Sequence, residues 1–277
     1  MKFAKYQGTG NDFVMISDLT DGLRLTPDQV SALCDRRFGI GADGVIRVAP
    51  GSPETDFFMD YSNSDGSVGE MCGNGIRCLA VFARDEGLTD ATSLRVETRA
   101  GLKVIEIQDH GRIRVDMGAP IFAPATIPVR WEGQDALHTK LELENGVLEV
   151  ACLSMGNPHA VMFVDDLEGT PVTTLGRLIE NHPAFPNGVN VEFVRVTSPD
   201  RLDMRVWERG SGATLACGTG ACAGAVAGRL LRDAGRKVTV GLPGGDLEVD
   251  WEGSLKEQAS AFLTGPATKS FEGEIDI

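Results

Sequence analysis

The sequence predicts an α+β protein of two pseudo-symmetric lobes that arose by internal duplication. Each lobe is expected to wrap β-strands around one central helix, with the active site in the cleft between lobes. Three observations carry this reading. Residues 72–84 read CGNGIRCLAVFAR and residues 217–229 read CGTGACAGAVAGR, sharing the Cys, both Gly, an Ala-Val pair and the closing Arg at a constant offset of 145. GTGNDFVM near the N-terminus resembles SMGNPHAVM from 154, matching Gly10-Asn11 with Gly156-Asn157. MDYSNSDG at 59–66 lines up with MRVWERGS at 204–211, so Asn63 and Glu208 each lie nine residues before their cysteine. Three matched pairs in one order argue for two copies of one unit, and the long period points to duplicated lobes rather than a solenoid.

In the first copy, DFVMIS, TDFFMDYS, LRVET and LKVIEI alternate and are bounded by Gly, Asp or Asn, as strands are. TPDQVSALCDRR at 26–37 predicts a helix with a Thr N-cap and Pro at N1. The CGxG turn opens GIRCLAVFARDEG, apolar through its middle and ended by Gly87. GAPIFAPATIP at 118–128 is expected to connect the lobes. In the second copy, HAVMFV, NVEFVRV, LDMRVWE and KVTVGL repeat the strand pattern, and GTGACAGAVAGRLLRDAG repeats the helix, ended by Gly235. The expected boundaries are 1–117, completed by 265–277, for the N-terminal lobe and 118–264 for the C-terminal lobe.

Composition narrows the function classes. At 277 residues with 42% hydrophobic and 24% charged, the chain can bury a core without staples. No apolar run approaches the roughly 20 residues of a membrane span, and the N-terminus lacks the apolar stretch of a secretory signal. A cytoplasmic protein is expected. A net charge of −14 repels a phosphate backbone and disfavours nucleic-acid partners. The six cysteines do not fall at structural-zinc spacings, and no residue set reads as a metal site. Cys34, Cys78, Cys152 and Cys222 sit in apolar or helical patterns and read as buried small hydrophobes.

Cys72 and Cys217 differ because of the turn that follows them. A thiol at a helix N-terminus lies among unpaired N–H groups and the positive end of the dipole, which favour thiolate. The glycines let backbone N–H groups close on an anion such as a carboxylate. Two thiols flanking one bound carboxylate suit inversion at its neighbouring carbon: one thiolate removes the α-proton and the opposite thiol delivers another.

The motifs FAKYQGTGNDFV, RRFGIGADGV, NSDGSVGEMCGNGIRC, SMGNPHAV, WERGSGATLACGTGACA and GPATKSFEG, with the region of Asn190, resemble the diaminopimelate epimerases nearly end to end. The resemblance implies interconversion of LL- and meso-2,6-diaminopimelate without pyridoxal phosphate, another cofactor or a metal. The pathway it implies is the route to lysine and peptidoglycan precursors. It makes Cys72 the proton donor and Cys217 the acceptor in the LL-to-meso direction. His159 then pairs with the first cysteine and Glu208 with the second, Glu208 serving as proton acceptor or ammonium ligand. Asn11, Asn63, Asn157 and Asn190 are the implied substrate asparagines, and Arg209 forks to the distal carboxylate. Gly73-Asn74 and Gly218-Thr219 form the cradle. A homodimer is implied, with Phe271 as the C-terminal aromatic at its contact. One departure stands out: some members have Gln directly after the Asp of GIGxD, whereas Gly44 follows Asp43 here and cannot make that contact. Proline or hydroxyproline racemase shares the two-thiol logic, but Arg209 and four asparagines exceed what proline offers to grip. A non-catalytic relative of the same fold would be expected to lack one or both cysteines.

Overall fold

A computed structural model describes residues 1–143 and 146–276. The chain divides into two units, Met1–Asp116 with Thr264–Ile277, and Met117–Leu263. In the first unit, β1 (Lys2–Gly8) and β2 (Asn11–Ser17) form a hairpin, followed by α1 (Pro27–Cys34), β3 (Gly44–Pro50) and β4 (Phe57–Asn63). Then come α2 (Gly73–Asp85), β5 (Ser93–Thr98), β6 (Gly101–Ile107) and β7 (Arg112–Asp116). The second unit runs β8 (Thr139–Leu143), β9 (Gly146–Ser154), β10 (Pro158–Phe163), α3 (Val172–Glu180), β11 (Asn190–Ser198) and β12 (Arg201–Glu208). It continues with β13 (Gly212–Thr214), α4 (Gly218–Leu231), β14 (Lys237–Leu242) and β15 (Gly245–Asp250). The chain closes with β16 (Phe262–Pro266) and β17 (Thr268–Glu274), and β17 lies antiparallel beside β1.

The pairings repeat. β1 to β6 succeed one another as antiparallel, parallel, antiparallel, parallel, antiparallel. β9, β10, β11, β12, β14 and β15 follow the same alternation. Each set of strands surrounds one apolar helix: α2 packs against β1, β2, β6 and β7, and α4 against β9 to β12, β14 and β15. Ile76, Cys78, Leu79, Ala80 and Ala83 of α2 are fully buried, as are Ala221, Cys222, Ala223, Val226 and Ala227 of α4. An α+β architecture with a central helix in each unit is therefore present. Among the described residues, no helix is long and apolar enough to cross a membrane.

Three local readings need correction or addition. The first helix has its capping box, Thr26 with Gln29, but stops at Cys34 rather than Arg37. Asp35 turns the chain, its carboxylate accepting from the Arg37 and Phe38 N–H groups at 2.7 and 2.8 Å. The fourth helix ends at Leu231, before Gly235, and Asp233 takes the left-handed conformation at φ 56°. Residues 118–128, read as the connection between lobes and counted with the C-terminal one, lie inside the second unit, where Ile121 and Ser154 exchange backbone hydrogen bonds. The sequence reading also missed α3. Its β-branched first turn and Gly176 are poor helix signals, yet Val172, Gly176 and Ile179 are buried. A Cβ at Gly176 would stand 2.5 Å from the Trp207 side chain, so glycine is required for this close approach to β12.

Candidate functional site

In the first unit the chemistry gathers at the start of α2. Cys72 is its N-cap, extended at φ −135° and half-buried, and its sulfur accepts from the Gly75 N–H at 3.4 Å. The β1–β2 hairpin brings Asn11 there. Its two-residue turn puts Thr9 at φ 52° and Gly10 at φ 82°, a left-handed pair suited to the strand twist. Asn11 gives its Nδ2 to Asp43 at 2.8 Å, which leaves Oδ1 toward Cys72 Sγ (3.5 Å) and Asn74 Nδ2 (3.4 Å). Asp43 is thus the orienting residue of the GIGAD motif. Arg77, fully buried, braces the same turn: its guanidinium donates to the Gly73 carbonyl at 3.0 Å and to Thr9 Oγ1 at 3.1 Å. Asn63, at the end of β4, accepts from Tyr61 Oη at 2.7 Å and donates to Ser67 Oγ at 3.0 Å.

The second unit assembles a different set at the start of α4. Cys217 is again the extended N-cap, but it is buried. Its sulfur lies 3.5 Å from Thr219 Oγ1. Glu208, the last residue of β12, takes hydrogen bonds from the Thr214 hydroxyl and from Cys217. The end of β12 is fixed by α3, because Glu180 accepts from Trp207 Nε1 at 2.7 Å and from the Gly210 N–H at 2.8 Å. Burial first, then the carboxylates of Glu208 and Glu192, push the Cys217 thiol well above its ordinary value; the Thr219 hydroxyl and Gly220 N–H act the other way and lose. The helix-start N–H of Gly220 does favour the thiolate, as expected, but burial and the two carboxylates act against it. Glu208 is also raised, by burial and by the Glu192 charge, against its bonds from Thr214 and Cys217.

His159 on β10 is fully buried, with Nδ1 2.7 Å from Glu192 Oε1 and Nε2 2.9 Å from Asn157 Oδ1. Asn190 is a strut: its Nδ2 donates to the Pro158 carbonyl at 2.9 Å and its Oδ1 accepts from the Arg209 N–H at 2.9 Å, tying GNPH to WERG. The Arg209 side chain is exposed and donates to the Asn187 carbonyl at 3.2 Å. Sequence reasoning missed Glu192. It is fully buried, and its second carboxylate oxygen has no hydrogen-bond partner among the described residues. The available signal was its position two residues after Asn190, on the same face of β11.

The sequence model of the diaminopimelate epimerase family matches residues 3–123 and 151–270. The chain belongs to that family. Diaminopimelate epimerase of Synechococcus elongatus is 47% identical over 100% of this chain and 99% of its own length. That of Acaryochloris marina is 50% identical over 99% and 98%, and that of Leptospira biflexa 44% identical over 100% and 99%. The chain is accordingly an isomerase of the epimerase class.

Solved structures widen the fold relationship. A probable proline racemase from Agrobacterium radiobacter superposes with a TM-score of 0.71 at 17% identity, over 100% of this chain and 93% of that one. A PhzF-family phenazine biosynthesis protein from Bacillus anthracis gives 0.72 at 18%, over 100% and 99%. At these identities the likeness is one of fold, the two-lobed α+β architecture. Within the epimerase, Asn11, Cys72, Gly73 and Asn74 cluster in the first unit. Asn157, His159 and Asn190 join Glu208, Arg209, Cys217, Gly218 and Thr219 in the second. Neither helix start offers a cradle for bulky side chains: a Cβ at Gly75 would meet Ile46 Cδ1 at 2.6 Å, and one at Gly220 would meet Glu192 Oε1 at 2.7 Å.

Proposed function

We propose that this epimerase interconverts LL- and meso-2,6-diaminopimelate by a two-cysteine proton transfer, without a cofactor, on the route to lysine and peptidoglycan precursors. The observation that carries the reading is the repeated placement of Cys72 and Cys217 as N-caps of equivalent helices, one of them against a carboxylate. In the LL-to-meso direction, Cys217 gives its proton to Glu208 and, as thiolate, takes the α-proton of the substrate. The C–H electron pair stays on the α-carbon, stabilised by its carboxylate in the backbone cradle of Gly73-Asn74 and Gly218-Thr219. Cys72 then delivers its S–H proton to the opposite face. The reverse reaction exchanges the roles. Each general acid or base contributes about 10²–10⁴-fold.

The reading assigns His159 as the partner of Cys72. Glu208 accepts a hydrogen bond from Cys217, which places its carboxylate to receive that proton. Asn11, Asn63, Asn157 and Asn190 bind the amino-carboxylate ends, and Arg209 the distal carboxylate. The proposal includes a cytoplasmic homodimer with Phe271 at the contact. Phe271, about half exposed on β17, is held edge-on by Phe3 at 6.0 Å. Light scattering at twice the 29.5 kDa chain mass would support the dimer.

The test is incubation of reduced protein with LL-diaminopimelate in D2O, with the stereoisomers resolved. Meso product carrying solvent deuterium, beside recovered LL substrate that stays largely protiated at low conversion, is expected. Equal deuterium in both would indicate a single exchanging base. Racemisation of proline with no action on diaminopimelate would overturn the substrate assignment.

A further inference from the structure

We propose that Tyr61, its ring seated in the space above Gly44, is the positioning residue that aims the Asn63 amide at the substrate. The inference rests on the proposed function. In the β3–β4 ladder Gly44 stands opposite Asn63, and Ile46 opposite Tyr61. Directly opposed residues and residues two apart share a face, so Gly44, Asn63 and Tyr61 lie together.

The Tyr61 ring leans along the strand into the space above Gly44. A Cβ at position 44 would stand 2.7 Å from Tyr61 Cε2 and 2.6 Å from the Ser62 carbonyl. On the other side, a Cβ at Gly69 would stand 2.2 Å from Tyr61 Cδ1. Neither glycine has a positive φ, so the room they leave for the ring, rather than backbone conformation, accounts for them. Phe13 holds the ring edge-on at 6.0 Å.

The phenol so placed has one function in view. Ser67 gives its only hydroxyl proton to Asp65, a carboxylate held below its ordinary range by the bonds from Ser67. Ser67 Oγ must therefore accept from Asn63 Nδ2, which turns Asn63 Oδ1 to Tyr61, whose hydroxyl donates. The direction of the amide is thus set at both ends. Asn63 presents a second N–H and a second carbonyl lone pair in a fixed direction to one amino-carboxylate end of a diamino dicarboxylic acid.

Steady-state kinetics with LL-diaminopimelate test this on the wild type, Tyr61→Phe, Asn63→Ala and the double variant. Tyr61→Phe keeps the ring between its glycines, so its melting temperature should stay within about 2 °C of wild type. Its KM should rise roughly five- to twentyfold, the scale of one lost hydrogen bond, with kcat within about twofold. The double variant should match Asn63→Ala alone, because both act through one amide. An unchanged KM in Tyr61→Phe, or effects that simply multiply in the double variant, would overturn the proposal while leaving the proposed function standing. A wild type inert toward diaminopimelate would overturn both.

Discussion

The two helix starts use one backbone frame and different chemistry. Phe13 pairs with Gly44 across β2–β3 as His159 pairs with Asn190 across β10–β11. Ile46 lies opposite Tyr61 as Glu192 lies opposite Val206, and two residues further come Asn63 and Glu208. Positions held by Phe13, Ile46 and Asn63 in the first unit are therefore held by His159, Glu192 and Glu208 in the second. The buried charge also reverses: Arg77 follows Cys72 by five residues, where Cys222 follows Cys217. Duplication preserved the capped thiol and its cradle. It placed the buried carboxylate of Glu192, the half-buried one of Glu208 and the imidazole of His159 in the second copy, and the buried cation Arg77 in the first.

The largest effects should come from removing the thiol that both copies share and the carboxylate, Glu208, that the second copy alone places beside it. Cys72→Ala and Cys217→Ala should each abolish epimerisation, a loss of at least ~10²–10⁴-fold. Glu208→Gln should lower kcat by about 10²-fold or more, because the Cys217 proton then has no acceptor. Stopped assays resolving LL and meso isomers would measure all three. Near-normal turnover in Cys217→Ala would break the comparison outright, since the equivalence rests on both thiols acting.

The next effect is an asymmetry between the thiols. Alkylation requires an accessible thiolate. Cys217 is buried and pushed up by desolvation and two carboxylates, whereas Cys72 is half-buried. At pH 8, iodoacetamide followed by peptide mass spectrometry should label Cys72 at least about tenfold faster. Glu192→Gln keeps the side-chain shape and removes one carboxylate charge facing Cys217, so Cys217 labelling should accelerate and narrow the gap. Equal rates in the wild type would show that the carboxylates do not govern that thiol.

The repeat was legible because its signals are local: a Cys-Gly turn before an apolar helix, Gly-Asn at a hairpin, alternating strands. What escaped was set by tertiary placement. Glu192 reads as an ordinary polar residue in an alternating strand, and only the β10–β11 register puts it under His159. The α3 helix has poor propensity and is held by burial and by Glu180 bonding the end of β12. Gly44 was legible as a departure, but the Tyr61 ring over it was not, because the two lie 17 residues apart and meet only through the ladder. The helix N-terminus was legible at Cys217, but the desolvation and the neighbouring carboxylates that act against it are set by tertiary placement.

The smallest effect asks whether the units, so different at their sites, respond alike in their cores. Each carries a fully buried thiol with no proposed part in the chemistry, Cys78 in the first and Cys152 in the second. Burial is the main cause in both, opposed by Arg77 for Cys78 and by a Thr139 hydrogen bond for Cys152, and each thiol is pushed up to about 12 from an ordinary value of about 9. The folded state therefore keeps protons that the unfolded chain loses above pH 9. The unfolded state then binds fewer protons, so stability falls as pH rises, by about 1.4 kcal/mol per pH unit for each thiol between roughly 9 and 12. Below pH 9 both states are protonated and neither thiol contributes a slope. Denaturant unfolding of the wild type, Cys78→Ala and Cys152→Ala between pH 7.5 and 11 isolates the contribution. Each variant pays a fixed cavity cost at every pH, and its stability should then decline less steeply above 9 than the wild type's, by that same increment. Curves parallel to the wild type throughout would mean that the thiol ionises in the fold as it does in water, and that the core around it admits solvent.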